Sequence, residues 1–108
     1  MYEKLTGVEE RLNELEAAMA DPDVASDRDS YEKYSREHAD LSRIVTPFRE
    51  YKRTLSDIED SSELLQDKDS EIRDLARQEL RKLSEKKERL EQELKQLLLP
   101  KDPNDDKN

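Results

Sequence analysis

Few residues in this chain are of a type that could carry chemistry. His38 is the only histidine and cysteine is absent, so neither a zinc centre built from His and Cys ligands nor a cysteine nucleophile can be assembled. Gly7 is the only glycine, which excludes the glycine-rich loops that cradle nucleotide phosphates. The many carboxylates fall on polar helix faces and not in the desolvated clefts that tune an acid or a base. We therefore expect a protein that is not an enzyme and that needs no cofactor or metal.

One charge pattern could bind a partner. Arg73, Arg77 and Arg81 recur at every fourth position, a spacing that aligns their side chains along one helix face. Such a strip can contact an RNA backbone or the acidic surface of another protein. The same residues can instead flank a helix seam, with their aliphatic stems covering apolar side chains. Both interpretations stay open on the residues alone.

The overall charge limits which partners are possible. The formal net charge is -9, so the chain as a whole is repelled by phosphate backbones and anionic membranes, and any nucleic-acid contact has to be local. Charged side chains such as Glu3, Lys4 and Glu9 interrupt the N-terminal stretch, as no secretory signal would allow. No apolar run approaches the roughly 20 residues that cross a bilayer. We expect no membrane partner and a cytoplasmic location.

The elements that must position these residues are predicted from apolar spacing. Only 31% of the residues are hydrophobic and 45% are charged, so a core depends on gathering the apolar side chains onto helical stripes. Residues 2–20 form the first predicted helix, with apolar residues three and four apart at Leu5, Val8, Leu12, Leu15 and Met19. Pro22 then ends this helix, because it disfavours helical geometry at the residue before it and lacks an N–H donor.

The second predicted helix covers residues 29–66, with Ser26, Asp27, Asp29 and Ser30 as candidate N-caps. Its stripe consists of Tyr31, Tyr34, Leu41, Val45, Phe48, Leu55 and Ile58. Pro47 interrupts the helix and can either kink it or start a new one. The stripe continues through Pro47, which favours the kink.

The third predicted helix covers residues 70–99, after a polar turn in which Asp69 or Ser70 can cap it. Its stripe consists of Ile72, Ala76, Leu80, Leu83, Leu90, Leu94 and Leu97. Short connections make sequential helices antiparallel neighbours. The sequence therefore predicts an all-α fold, an elongated antiparallel three-helix bundle with coiled-coil-like packing, followed by a C-terminal linker tail at 100–108.

The stretch "LLLPKDPNDDKN" at 97–108 resembles the junction of bacterial type 1 peptide chain release factors. In that family a helical N-terminal domain ends in this leucine, proline and acidic string before the decoding core begins. The stretches "YEKL" and "ADPDVASDRDSYEKYSREHADLSRIV" are similar to the family's start and to its first loop and second helix. Type 2 factors share the architecture but lack the "PKDP" run.

The resemblance implies a division of labour. Residues 1–99 would be the N-terminal domain and residues 100–108 a linker to a core domain. The longer factor would recognise UAA and UAG stop codons in the ribosome and trigger hydrolysis of peptidyl-tRNA. Its Gly-Gly-Gln motif and its codon-reading tripeptide are expected beyond Asn108, so stop codon and peptidyl-transferase centre would be reached only through domains that follow. The implied partners of this part are the stalk base of the large ribosomal subunit and the GTPase release factor.

A second hypothesis comes from the leucine stripes themselves. A self-contained coiled-coil adaptor would dimerise through an exposed leucine seam. A linker-like tail favours the release factor domain, because a domain followed by another needs such a spacer.

Overall fold

The computed structural model describes residues 1–100, and this part of the chain contains helices and no strand. The helices are α1 (Tyr2–Ala20), α2 (Pro22–Ala25), α3 (Arg28–Glu63) and α4 (Ser70–Leu98), with a 3₁₀ turn at Leu64–Gln66 between the last two. The three predicted long helices and the all-α class are confirmed. The predicted linker at 100–108 lies outside the described residues apart from Pro100.

The connection between α1 and α3 contains a short helix that apolar spacing could not predict. Asp21 takes an extended conformation and its side chain accepts a hydrogen bond from the backbone N–H of Asp23, which caps α2. Pro22 follows as the first helical residue, where a missing N–H costs nothing. Among the four candidate caps of the second long helix, Asp27 takes the position, and Ser30 Oγ donates to its Oδ2 at 2.7 Å.

Pro47 does not break the second long helix, since α3 runs through it as one element of 36 residues. A proline inside a helix removes the hydrogen bond to the carbonyl four residues earlier and strains that turn. Val45, two residues before Pro47, and Phe48, directly after it, are both fully buried. Their packing compensates for the lost bond and keeps the helix continuous.

Carboxylates build the turn between α3 and α4. Asp67 Oδ1 accepts from the backbone N–H of Asp69, and Asp69 Oδ1 accepts from the N–H of Glu71, both at 2.9 Å. The second bond makes Asp69, one of the two predicted residues, the cap of α4. An Asp at the N-cap satisfies a backbone donor that has no partner within the helix.

α3 is the central element of the fold. α1 packs antiparallel on its N-terminal part, since Leu5 clusters with Phe48 while Glu16 meets His38. α4 packs antiparallel on its C-terminal part. Within the described residues no Cα of α1 lies within 8 Å of a Cα of α4, so these two helices meet through side chains and not through closely packed backbones. The dimensions are 61 × 38 × 21 Å and the radius of gyration is 19.4 Å, against about 13 Å for a compact domain of 100 residues.

One hydrophobic cluster joins all three long helices. It consists of Leu5 from α1, Phe48 and Tyr51 from α3, and Leu90 and Leu94 from α4. We call these five residues the central cluster. The Tyr2 ring meets the Phe48 ring edge to face at 5.2 Å, and Lys52 Nζ lies 4.8 Å from the centre of the same ring. Both contacts add to the burial of Phe48.

The predicted stripes account for most of the remaining core. Leu12 and Leu15 of α1 are buried, and so are Ala76 and Leu83 of α4. Tyr31 is the exception, because it is 40% exposed although it lies on the predicted stripe of α3. Its position near the start of α3 leaves it outside the central overlap of the three helices.

Ion pairs flank the apolar contacts between helices. Glu9 of α1 accepts from Lys52 Nζ at 2.6 Å and from Arg49 Nε at 2.9 Å, both on α3. The hydrogen bond from Lys52 is the main reason why the pKa of Glu9 lies below its usual range, and the bond from Arg49 lowers it further. Arg11 Nε contacts Glu37 at 2.6 Å on the same interface, and Lys86 of α4 pairs with Glu50 of α3.

None of the helices in the described part of the chain is long and apolar enough to cross a membrane.

We expect burial, not helix position, to decide the cost of truncating leucines of α4. Leu94 is fully buried and Leu75 is 64% exposed, so Leu94→Ala should cost about 2 to 5 kcal/mol of unfolding free energy and Leu75→Ala less than about 0.5 kcal/mol. Urea unfolding of the two variants measures the difference. Equal urea midpoints for the two variants would mean that the buried face of α4 is assigned wrongly.

Glu9→Gln should destabilise the chain at pH 7 by about 1 to 2 kcal/mol, because it removes a carboxylate that two cations hold in place. The folded-state pKa of Glu9 is lowered, so its contribution is present above the unfolded-state pKa of about 4.3 and is lost as pH falls through the folded-state value. Urea midpoints of wild type and variant should therefore converge as pH falls through the folded-state pKa of Glu9. Glu10→Gln is the control, since Glu10 is exposed and forms no ion pair within residues 1–100. A difference that stays constant as pH is lowered from 7 into the acid range would contradict the assignment.

Candidate functional site

The lone histidine serves the contact between α1 and α3. His38 Nε2 lies 3.2 Å from Glu16 Oε1, and its Nδ1 lies 3.5 Å from Ser42 Oγ. Among the described residues no group of three or more His, Asp or Glu side chains could hold a metal ion. The position of His38 therefore suits packing between helices. Surfaces that could bind a partner lie elsewhere on the molecule.

The three arginines of the predicted strip lie on α4, one turn apart. A helix rises 1.5 Å per residue, so the strip from Arg73 to Arg81 is about 12 Å long. Arg77 and Arg81 are exposed, whereas Arg73 is half-buried. Successive helical residues are about 100° apart, which places Arg77 beside the buried Ala76 and Arg81 on the side of α4 that faces away from α3.

Arg73 is tied to the turn that precedes its own helix. Its Nη1 donates to the backbone carbonyl of Asp67 at 2.7 Å and to that of Lys68 at 3.1 Å. A guanidinium held by two carbonyls stabilises the turn and has fewer donors left for a partner. The repeated spacing of the three arginines gave no sign of this difference.

Arg77 and Arg81 remain available at the surface. Arg77 Nη1 lies 2.7 Å from Asp74 Oδ1 in a pair whose side chains are both more than half exposed. Such pairs contribute little to stability and exchange readily for another partner. Arg81 is one turn further from the α3–α4 turn and precedes Glu85 by one turn. The exposed part of the strip is therefore a small basic surface bounded by carboxylates.

A second surface was not predicted from the sequence. The end of the α3–α4 hairpin contains an open apolar cleft of about 370 Å³, whose lining includes Ser61, Leu64, Ile72, Leu75, Ala76 and Glu79. We call it the tip groove. The signal that could have found it is Leu75, an apolar residue that stands outside the stripe of a polar helix.

The PCRF domain family matches residues 8–108 of the chain. Over its whole length the chain is 54% identical to peptide chain release factor 1 of Desulfatibacillum aliphaticivorans, of which it covers 30%. It is also 50% identical to peptide chain release factor 1 of Clostridioides difficile and 48% identical to that of Solidesulfovibrio magneticus, covering 31% and 30% of those proteins. The chain thus spans less than a third of the length of these relatives. No solved structure matches it.

Proposed function

The chain belongs to the PCRF domain family, and we propose that it is the N-terminal ribosome-docking domain of a type 1 release factor. The observation that carries the proposal is identity of 48% or more, over all of the chain, to release factor 1 of several bacteria. The longer factor would read UAA and UAG codons and trigger hydrolysis of peptidyl-tRNA. Residues 1–99 would form the docking domain and residues 100–108 a linker to the domains that carry out those steps.

In this proposal the domain contributes binding and no chemistry. The ionisable side chains that lie between helices are engaged in contacts with each other, as Glu9 is with Arg49 and Lys52 and as His38 is with Glu16. An elongated rod with exposed ends suits a part that reaches between sites on a large assembly. Translation takes place in the cytoplasm, which is the location we propose.

Electrostatics favours a local contact over a broad one. With a net charge of -9, approach to ribosomal RNA is opposed within a Debye length of about 8 Å at physiological salt. The contact would then be made with a ribosomal protein of the large-subunit stalk base, with the GTPase release factor, or through the arginine strip. Within the strip, Arg77 and Arg81 are the candidate contacts and Arg73 supports them by fixing the turn.

The coiled-coil adaptor is less well supported. An adaptor that dimerises through leucines needs a seam free to meet a second chain. Leu12, Leu15, Leu83, Leu90 and Leu94 are instead buried within one chain. The remaining exposed leucines are too few to form a second continuous seam.

The test measures binding of the dye-labelled chain to large ribosomal subunits, with and without the stalk-base protein. We expect weak binding that requires the stalk base. Changing both Arg77 and Arg81 to Glu should weaken it at least about fivefold, which corresponds to about 1 kcal/mol. Undiminished binding to subunits that lack the stalk base would contradict the docking site.

A charge-matched control separates a specific contact from general repulsion. Arg28→Glu with Arg53→Glu changes the net charge equally at two exposed positions on α3, whose side chains are 90% and 75% exposed. We expect this control to bind nearly as wild type does. If both double variants weaken binding equally, the arginine strip is not the contact.

A further inference from the structure

The tip groove exposes apolar surface that the fold does not use. Leu64, at the end of α3, is 46% exposed and Leu75 of α4 is 64% exposed, and both line the groove. Its floor includes Ala76 and Ser61, which are buried between the two helices. These two exposed leucines line one open cleft, whereas apolar residues scattered singly over a surface are normal.

The stretch of chain that forms the end of this hairpin is rich in carboxylates. Residues 57–74 contain two basic side chains, Lys68 and Arg73, and the acidic side chains Asp57, Glu59, Asp60, Glu63, Asp67, Asp69, Glu71 and Asp74. Of the two cations, Arg73 is already held by backbone carbonyls of the turn. In the described part of the chain only Asp74 among these carboxylates forms an ion pair. The end of the hairpin therefore carries a local negative charge that its own cations do not neutralise.

The helical spacing puts acidic residues on both sides of the apolar walls. Asp57 and Asp60 precede Leu64 by seven and four residues and so share its helix face. Glu71 and Glu79 stand four residues before and after Leu75. Glu79 and Lys82 are the charged residues that line the groove. By helical spacing, Asp57 and Asp60 on α3 and Glu71 on α4 extend its acidic border along both helices.

We propose that the tip groove binds a basic amphipathic helix of a partner protein. A helix that places apolar residues at positions i, i+4 and i+7 can seat them between Leu64 and Leu75, as in other helix-in-groove complexes. Lysine or arginine beside that apolar stripe would meet the acidic borders. Charge complementarity thus selects the class of partner.

The same charges argue against two other occupants. A second copy of the chain would bring an equally acidic hairpin end to the groove, and like charges facing each other oppose association. RNA would be repelled by the carboxylates and has no apolar stripe for the leucines. The proposal stands on the groove alone and does not depend on ribosome docking or on the arginine strip.

The experiment uses the 108-residue chain and two synthetic 18-residue helical peptides. Both carry leucine at i, i+4 and i+7, and they differ only in having lysine or glutamate at the flanking positions. Fluorescence anisotropy gives the affinities, and amide chemical shifts locate the site. We expect the lysine peptide to bind at least tenfold more tightly than the glutamate peptide, to weaken as salt increases, and to shift the amides around Ser61, Leu64 and Leu75.

Paired variants test the leucines directly. Leu64→Ser with Leu75→Ser should lower affinity for the lysine peptide at least tenfold, and the fold should persist because both side chains are exposed. Circular dichroism checks the helix content. The control is Tyr31→Ser with Leu99→Ser, which removes two exposed apolar side chains outside the groove and should leave affinity unchanged.

Four outcomes would overturn the proposal. They are failure of both peptides to bind, equal affinity for the two peptides, shifts confined to another surface, and equal losses in the two double variants. Concentration-dependent dimerisation that Leu75→Ser abolishes would identify a second copy as the occupant instead. If the longer release factor shields these amides and excludes the lysine peptide, the occupant is another part of that factor.

Discussion

The interaction on which the rest of the structure depends is the packing of the central cluster at the middle of α3. Leu5, Phe48, Tyr51, Leu90 and Leu94 meet there, and only there do three long helices overlap. Towards its N-terminus α3 meets α1, where His38 contacts Glu16, and towards its C-terminus it meets α4, where Ser61 and Ala76 line one cleft. A contact between only two helices buries little surface. The two ends of the rod therefore depend on the central cluster, together with flanking ion pairs such as Glu9 with Lys52, to keep their helices aligned.

This arrangement leaves much of the rod free to meet partners. On α4 the arginine strip and the tip groove lie on opposite sides of the buried seam, since Arg77 and Leu75 stand one residue after and one before Ala76. One surface is locally basic and the other is apolar with an acidic border. A single helix therefore presents two surfaces of different chemistry.

Apolar spacing was sufficient to predict the three long helices and most of the core. Residues such as Leu5, Leu12 and Leu15 share one face only if the chain is helical, and that face is then the one that is buried. Apolar spacing could not predict features decided by tertiary contacts. Pro47 stays within a continuous helix in which Val45 and Phe48 are buried, and Tyr31 stays exposed because no helix covers it fully. For the candidate site, spacing grouped Arg73 with Arg77 and Arg81, although the fold of the turn sets Arg73 apart.

A double-mutant cycle between Leu5 and Leu90 tests most directly whether the central cluster couples α1 to α4. The account predicts that Leu5→Ala and Leu90→Ala are not additive in unfolding free energy, with a coupling of at least about 0.5 kcal/mol, although the two helix backbones stay apart. The control cycle pairs Leu12→Ala with Leu83→Ala, whose sites lie outside the cluster, and should be additive within about 0.3 kcal/mol. Additivity in both cycles would show that α1 and α4 pack on α3 independently and would contradict the account.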